Sequence, residues 1–340
     1  MSLESYFTAS GPGAILALQR QGEEPVVSCR GLADIASGRA IGPETPFDLA
    51  SCTKMFTAVA VLGLAERSHL RLEDSLSRYV ELGPVDGGRE ITLQDLLWHT
   101  SGLPDYVLAP DLAPAIQATS LTPEQVVEWL VDQPAAGPPG VGHEYSNTNY
   151  FLLARIIESV TGSTYADYLD QSVFQPFGLR DSLVVQGTRP PQCARGYASV
   201  GVGAERSEMS ELDLSVVGDG GVFSSQPDLS RWFELLFRGE IIDPASLRIA
   251  LSRGRLDDGT RFDYGCGFLL ETLPDGGTWC GHTGGWHGTT TICGRFLDRG
   301  LTVMVLSNDQ SAPVVRIAQR AVETVDASAD PRGESVRPAS

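Results

Sequence analysis

Near the N-terminus, stretches of apolar positions separated by turn residues predict two strands. They cover residues 14–18 and 26–33, and the polar turn 21–25 joins them into a hairpin. A third short strand is predicted at Phe47, followed by a turn and then by the apolar run 55–65. That run is too uniformly apolar for a helix with a solvent-facing side, so it predicts a buried helix.

Helical periodicity with capping residues dominates the middle of the chain, and strand patterns return toward the C-terminus. Strands at both ends with helices between them predict an α/β fold of the α+β type. We expect a central antiparallel sheet built from both chain ends and flanked by helices, with an inserted, mostly helical lobe. The elements predicted after residue 90 are helices at 92–98, 122–130, 149–160, 227–237 and 313–325, and strands at 264–271, 277–282, 288–296 and 301–307.

The same pattern predicts how the chain divides into lobes. A chain of 340 residues exceeds the size at which one core stops growing, so two lobes are expected. Residues 10–65 and 216–326 are expected to form the sheet with its flanking helices, and residues 66–215 the mostly helical lobe. The polar segment 327–340 is expected to be a disordered tail.

Composition narrows the possible partners. The net charge of −18 argues against nucleic acid and anionic membranes, because both require a basic surface. No apolar run reaches the length of a membrane span, and the N-terminus lacks a basic start followed by an apolar stretch, so a cytoplasmic location is expected, although an exported chain that had been processed would look the same. The histidines and cysteines lack metal-site spacing, so neither a metal nor a cofactor is predicted, and the oligomeric state is left open.

Candidate chemistry begins at the start of the predicted buried helix. Ser51 and Lys54 are three residues apart there, so their side chains can share one face. Serine often only caps a helix, so the spacing by itself is weak. However, Lys54 is the single lysine among 25 basic residues. Arginine cannot give up its proton in a protein, whereas a buried lysine can be neutral and act as a base. The pair therefore indicates a serine nucleophile with an adjacent base.

Two further clusters stand at element boundaries. Tyr145 and Asn147 follow a Gly/Pro-rich loop just before a predicted helix, where simple capping and packing is an alternative role. The segment 281–285 ends a predicted strand, and its glycines would let a substrate approach the backbone closely, with a plain turn as the alternative.

Taken in chain order, these clusters resemble the three motifs of the serine β-lactamase and penicillin-binding-protein superfamily. The Tyr145-x-Asn147 motif is similar to the second motif of the class C branch. That branch includes class C β-lactamases, DD-carboxypeptidases, D-aminopeptidases and family VIII-type esterases. Segments 96–106, 156–162, 218–225 and 300–308 are similar to that family as well, so the likeness covers about residues 10–325.

The resemblance implies covalent acyl transfer from a small ester, amide or peptide substrate. Ser51 would attack a carbonyl, with neutral Lys54 and the phenol of Tyr145 sharing its proton, and which of the two is the base is left open. Asn147 would orient Lys54 and contact the substrate. The N–H groups of Ser51 and Gly285 would hold the oxyanion. The remaining residues expected to bind substrate are His282, Thr283, Gly284, Tyr106, Phe223 and Trp286, with packing as the alternative for the last three.

One position departs from the family pattern. His282 stands where β-lactamases of this branch carry a lysine, and histidine is only partly charged near neutrality. This favours a peptidase or esterase with weak β-lactamase activity at most. The alternatives are a true class C β-lactamase and a non-catalytic penicillin-binding scaffold or sensor. A Ser-His-Asp hydrolase is excluded because the chain has no G-x-S-x-G motif.

Overall fold

The computed structural model describes residues 3–82, 90–118, 120–199, 206–208 and 215–329. Its strands are β1 Ala14–Arg20, β2 Val26–Arg30, β3 Leu32–Asp34, β4 Arg39–Ala40, β5 Phe47–Asp48, β6 Leu183–Val184, β7 Tyr197–Ser199, β8 Arg206–Glu208, β9 Val222–Ser224, β10 Leu269–Thr272, β11 Thr278–Trp286, β12 Thr289–Phe296 and β13 Leu301–Ser307. Its helices are α1 Thr53–Glu66, α2 Leu93–Leu97, α3 Ala113–Gln117, α4 Pro123–Val131, α5 Asn147–Thr161, α6 Tyr165–Leu169, α7 Gln175–Phe177, α8 Gln226–Phe237, α9 Pro244–Ala250 and α10 Val314–Ala329.

The largest sheet has the strand order β10-β11-β12-β13-β1-β2, and every neighbouring pair in it is antiparallel. Two of its strands come from the start of the chain and four from the end. The predicted fold class, with a central antiparallel sheet built from both chain ends, is therefore confirmed. The N-terminal β1 lies between β13 and β2, so the two ends of the chain are joined by a hydrogen-bonded ladder.

Helices cover both faces of this sheet, which explains why its two central strands, β1 and β13, are mostly apolar. Successive strand residues point to opposite faces. In β1, Ile15 and Ala17 pack into the core that contains α1 and α8, whereas Leu16 and Leu18 pack against α10. An antiparallel sheet with one wet face would alternate apolar and polar residues instead.

One predicted strand is divided in the structure. The pattern at 26–33 predicts a continuous strand, but β2 ends at Arg30 and β3 begins at Leu32. The residue between them, Gly31, has a φ of 93°, and a Cβ there would lie 2.7 Å from the Cα of Gly13. Only glycine fits this close approach, and a glycine in a strand pattern marks such a break.

The helices α2 to α7 all lie within the segment expected to form the inserted lobe. That segment also includes residues 83–89, 119, 200–205 and 209–214, which lie outside the described residues. At the C-terminus α10 continues to Ala329, into the segment 327–340 expected to be disordered, and the rest of that segment is likewise outside the description. None of the helices described here has the length and apolar character needed to span a membrane.

The helix that follows Ser51 is fixed on all sides. Every residue of α1 from Thr53 to Leu64 is buried. The ring of Phe56 stacks on Trp232 of α8 with centroids 4.3 Å apart. On another side the backbone of Gly267 lies so close that an added Cβ would be 2.6 Å from the carbonyl oxygen of Lys54. Because packing leaves this helix little room to shift, it provides a rigid base for the site.

Candidate active site

Ser51 lies in the short 3₁₀ turn Ala50–Cys52, which leads directly into α1. Ala50 has a φ of 48°, a left-handed conformation that is strained for a residue with a side chain. The amide of Ala50 donates a 2.8 Å hydrogen bond to Oδ1 of Asp48, and this bond stabilises the turn. The amide of Cys52 donates a 3.0 Å hydrogen bond to the backbone oxygen of Leu49, so the amides on both sides of Ser51 are used within the turn.

Lys54 is fully buried, and its amine contacts three groups. Nζ lies 3.1 Å from Oγ of Ser51, 2.8 Å from Oδ1 of Asn147 and 2.8 Å from the backbone oxygen of Asp219. The amide oxygen and the backbone carbonyl can only accept, so each takes one N–H. A neutral amine has two N–H groups and one lone pair. In that state the lone pair is left facing the serine hydroxyl, which is the arrangement a general base requires.

The ring of Tyr145 lies over the same amine. Its centroid is 4.9 Å from Nζ of Lys54. The side chain is 37% exposed, and it lines the cavity that Ser51 also lines. The structure therefore brings together the serine, the amine and the phenol of the sequence motifs. The phenol is open to a bound substrate, whereas the amine is covered.

His99 supports Tyr145 and was assigned no role from the sequence. Its ring packs against the ring of Tyr145 at a tilt of 35°, with centroids 4.5 Å apart. Its Nδ1 accepts a 3.2 Å hydrogen bond from the amide of Ser146, and its backbone oxygen accepts one of 2.9 Å from the amide of Glu144. Burial, followed by the charge of Lys54, lowers the pKa of His99 well below its usual value. A neutral ring with Nδ1 as acceptor is therefore the stable form.

His282 does not take the place expected for it as a partly charged substrate contact. Its side chain is buried, and Nδ1 lies 2.6 Å from the backbone oxygen of Thr283. A carbonyl can only accept, so Nδ1 carries the proton and Nε2, 3.2 Å away from the hydroxyl of Tyr264, accepts from it. Burial and then the amine of Lys54 lower the pKa of His282 to about 3. The ring is a neutral part of the core and supplies no cation to a ligand.

We expect this buried histidine to make the protein less stable in mild acid. In the unfolded chain His282 binds a proton with a pKa near 6.5, whereas the folded protein resists protonation down to about 3. Stability present above pH 6.5 is thus lost as the pH falls toward 3. Between pH 7 and pH 5 His282 should lower the free energy of unfolding by about 2 kcal/mol. Urea unfolding of the wild type and of His282→Gln at pH 7, 6 and 5 measures the difference; parallel pH profiles would contradict it.

The segment after His282 alternates between the two faces of the sheet. Thr283 pairs with Ile292, which packs in the α10 cluster, and both border a groove beside α10. Paired residues share a face, so Thr283 is on the face away from Ser51, contrary to the expected substrate contact. Gly284 instead touches the nucleophile turn, since an added Cβ would lie 2.4 Å from the backbone oxygen of Leu49.

A cavity of about 280 Å³ opens above Ser51. Of the residues proposed from the sequence, six line it: Ser51, Tyr106, Tyr145, Asn147, Gly285 and Trp286. Part of its wall is apolar, formed by Val107, Ile116, Leu121 and Val216. The described lining includes the carboxylates of Asp48 and Asp219 but no lysine or arginine. The cavity therefore suits an apolar group beside the reacting carbonyl and offers no fixed cation on its wall.

Two aromatic residues proposed for the pocket have other roles. Phe223 is 2% exposed and packs with Val185 and Cys193, outside the cavity lining, so it is not brought to the site. Tyr106 does line the cavity, but its hydroxyl donates a 2.8 Å hydrogen bond to Oδ2 of Asp219. That bond holds the loop whose carbonyl accepts from Lys54.

Comparison with known proteins agrees with these motifs. The family model described as Beta-lactamase matches residues 3–326 of the chain. Penicillin-binding protein 4* from Bacillus subtilis (strain 168) is 34% identical over 294 residues, which cover 82% of this chain and 64% of that protein. A D-aminopeptidase from Brucella canis is 27% identical over 299 residues, 88% of this chain and 56% of that protein. The chain thus spans less than two thirds of either relative.

Among solved structures, D-amino acid amidase from Ochrobactrum anthropi SV3, complexed with L-phenylalanine amide, superimposes with a TM-score of 0.79 at 28% identity. The match covers 93% of this chain and 94% of that one. The arrangement of sheet and helices described above is therefore shared over nearly the whole length of both chains.

Proposed function

Because this chain belongs to the beta-lactamase family, we propose that it is a serine hydrolase that forms an acyl-enzyme at Ser51 on small esters or amides. The observation that carries this proposal is the 3.1 Å contact between Nζ of Lys54 and Oγ of Ser51. The same amine donates to the amide oxygen of Asn147 and to the backbone oxygen of Asp219. This contact places the amine within hydrogen-bond distance of the serine hydroxyl, which is the geometry that a general base requires.

In the proposed reaction the proton of the Ser51 hydroxyl moves to the lone pair of Lys54 as Oγ bonds to the substrate carbonyl carbon. The negative charge on the carbonyl oxygen is held by the N–H groups of Ser51 and Gly285, both in the cavity lining. The phenol of Tyr145 passes a proton to the leaving oxygen or nitrogen as that bond breaks. A water molecule then attacks the ester carbon and gives a proton to the tyrosinate of Tyr145, while the proton held by Lys54 returns to Oγ of Ser51 as the acid is released.

The charges around the cavity support an uncharged or amine-bearing substrate over a carboxylate. The described lining holds no lysine or arginine, and His282 is buried and neutral. The two carboxyl groups of the lining, Asp48 and Asp219, are buried, and burial raises the pKa of each. A β-lactam or a peptide C-terminus carries a carboxylate that would find no fixed cation there. The similarity to a D-aminopeptidase and to a D-amino acid amidase is consistent with amide substrates of this kind. We therefore propose an amidase, aminopeptidase or esterase specificity.

A penicillin-directed activity is the second candidate, favoured by the 34% identity to a penicillin-binding protein. A substrate panel separates the two. We expect p-nitrophenyl esters and p-nitroanilides of D-amino acids to be hydrolysed with kcat/KM at least about tenfold above that for nitrocefin, because only nitrocefin carries the unmatched carboxylate. Ser51→Ala is the control for background hydrolysis. A higher kcat/KM for nitrocefin would favour a β-lactamase. If no substrate is turned over and none acylates the protein, a non-catalytic scaffold would be favoured.

A further inference from the structure

Asp105 lies where it can act on the site through Asn147. It precedes the 3₁₀ turn Tyr106–Leu108, and its Oδ1 accepts a 3.1 Å hydrogen bond from the amide of Val107. Its other oxygen, Oδ2, accepts a 2.9 Å hydrogen bond from Nδ2 of Asn147. The two carboxylate oxygens therefore serve two different partners, one within its own turn and one at the start of α5.

The second of these bonds determines which way the amide of Asn147 faces. A carboxylate can only accept, so the NH₂ group of Asn147 must be the end directed at Asp105. The amide oxygen is then directed at Lys54, where it lies 2.8 Å from Nζ. If the amide turned over, its NH₂ group would face the amine of Lys54, and the lone pair of a neutral Lys54 would be drawn toward it and away from Ser51.

We propose that Asp105 is a positioning residue for acylation, which fixes the amide of Asn147 so that Lys54 keeps its lone pair on Ser51. This inference rests on the proposed function, since it concerns the same acylation step. Asn147 has two N–H bonds, and Asp105 takes one of them. Asn147 also lines the cavity, so the second N–H is available to a substrate carbonyl. Asp105 thus sets the orientation of both ends of the amide without touching the substrate.

The test separates this role from the capping of the turn. Ser at position 105 can still accept from the amide of Val107, as serine caps do, but its shorter side chain cannot reach Asn147. We expect Asp105→Ser to lower the acylation rate constant, measured as the p-nitrophenol burst, by roughly 10–100-fold. The dissociation constant of the substrate, taken from the concentration dependence of the burst rate, should change by less than about threefold. The same substitution in an Asn147→Ala background should cost less than about twofold, because no amide remains to be oriented.

The four proteins of this double-mutant cycle distinguish a failure of the positioning role from a failure of the proposed function. An equal loss in both backgrounds, or a wild-type rate in Asp105→Ser, would overturn the positioning role while leaving the proposed function intact. A wild type that never forms an acyl-enzyme would overturn both. Thermal unfolding of each variant checks the fold. If Asp105→Ser fails to fold, Asp105→Asn, which keeps the shape but only one acceptor oxygen, replaces it in the same cycle with the same criteria.

Discussion

Replacing Lys54 with arginine should lower the rate of acylation by about 10³–10⁴-fold although the positive charge is retained. Arginine stays protonated, so it has no lone pair to take the proton of Ser51. Its planar head group would also have to replace an amine that contacts Ser51, Asn147 and the backbone of Asp219 at once. Lys54 has no exposed surface, and the larger guanidinium must fit into that closed space. Burst kinetics with an activated ester measure the loss.

Tyr145→Phe is the matched comparison for this variant, because it removes only the phenol oxygen. If Lys54 is the base in acylation, Lys54→Arg should lose more of the burst rate with an activated ester than Tyr145→Phe does. Tyr145→Phe should itself lose more activity on an amide with a poorly activated amine leaving group, which needs a proton, than on the activated ester. A Lys54→Arg enzyme that still acylates at more than a tenth of the wild-type rate would show that Lys54 does not accept the proton.

The second large effect is expected at Gly284. An added Cβ would lie 2.4 Å from the backbone oxygen of Leu49, 2.4 Å from Oγ1 of Thr291 and 3.1 Å from Cβ of Ala50. Backbone cannot move aside cheaply, so β11 must separate from the turn that carries Ser51. We expect Gly284→Ala to lower the free energy of unfolding by about 1–3 kcal/mol and kcat/KM by roughly 100-fold. Urea unfolding and ester hydrolysis measure the two losses.

The neighbouring glycine provides the control. An added Cβ at Gly285 would meet nothing within 4 Å, so Gly285→Ala should keep the wild-type stability. Because successive residues of a strand point to opposite faces, the added methyl would point away from the nucleophile turn, and kcat/KM should fall far less than in Gly284→Ala. Equal stability of the two variants would show that the contact between β11 and the nucleophile turn is not tight.

Much of this arrangement follows from the sequence. The strand patterns at both ends and the helical middle predict the sheet and its strand origin. A single lysine three residues after a serine points to the site. These features are visible because they lie within one element, where spacing along the chain translates directly into geometry.

Contacts between distant segments are what the sequence leaves out. His99 and Asp105 lie in segment 96–106, which resembles the family. Their partners, Tyr145 and Asn147, are more than forty residues away along the chain. The side chains of His282, Thr283 and Phe223 do not line the cavity beside Ser51, for a related reason. Each is a plausible ligand contact by residue type, and only the register of β11 and the packing of β9 show that their side chains face the core or the opposite side of the sheet.

We expect the amine of Lys54, held by Asn147 and by the backbone of Asp219, to take the proton of Ser51 and so make its oxygen the nucleophile. Rapid-quench mass spectrometry of the tryptic peptide 40–54 tests it most directly, because cleavage after Arg39 and after residue 54 isolates the serine in both the wild type and Lys54→Arg. With an activated ester, we predict one added acyl group on Ser51 in the wild type and none on this time scale in Lys54→Arg or Ser51→Ala. An acyl group on any other residue, or equal labelling of Lys54→Arg, would contradict the account.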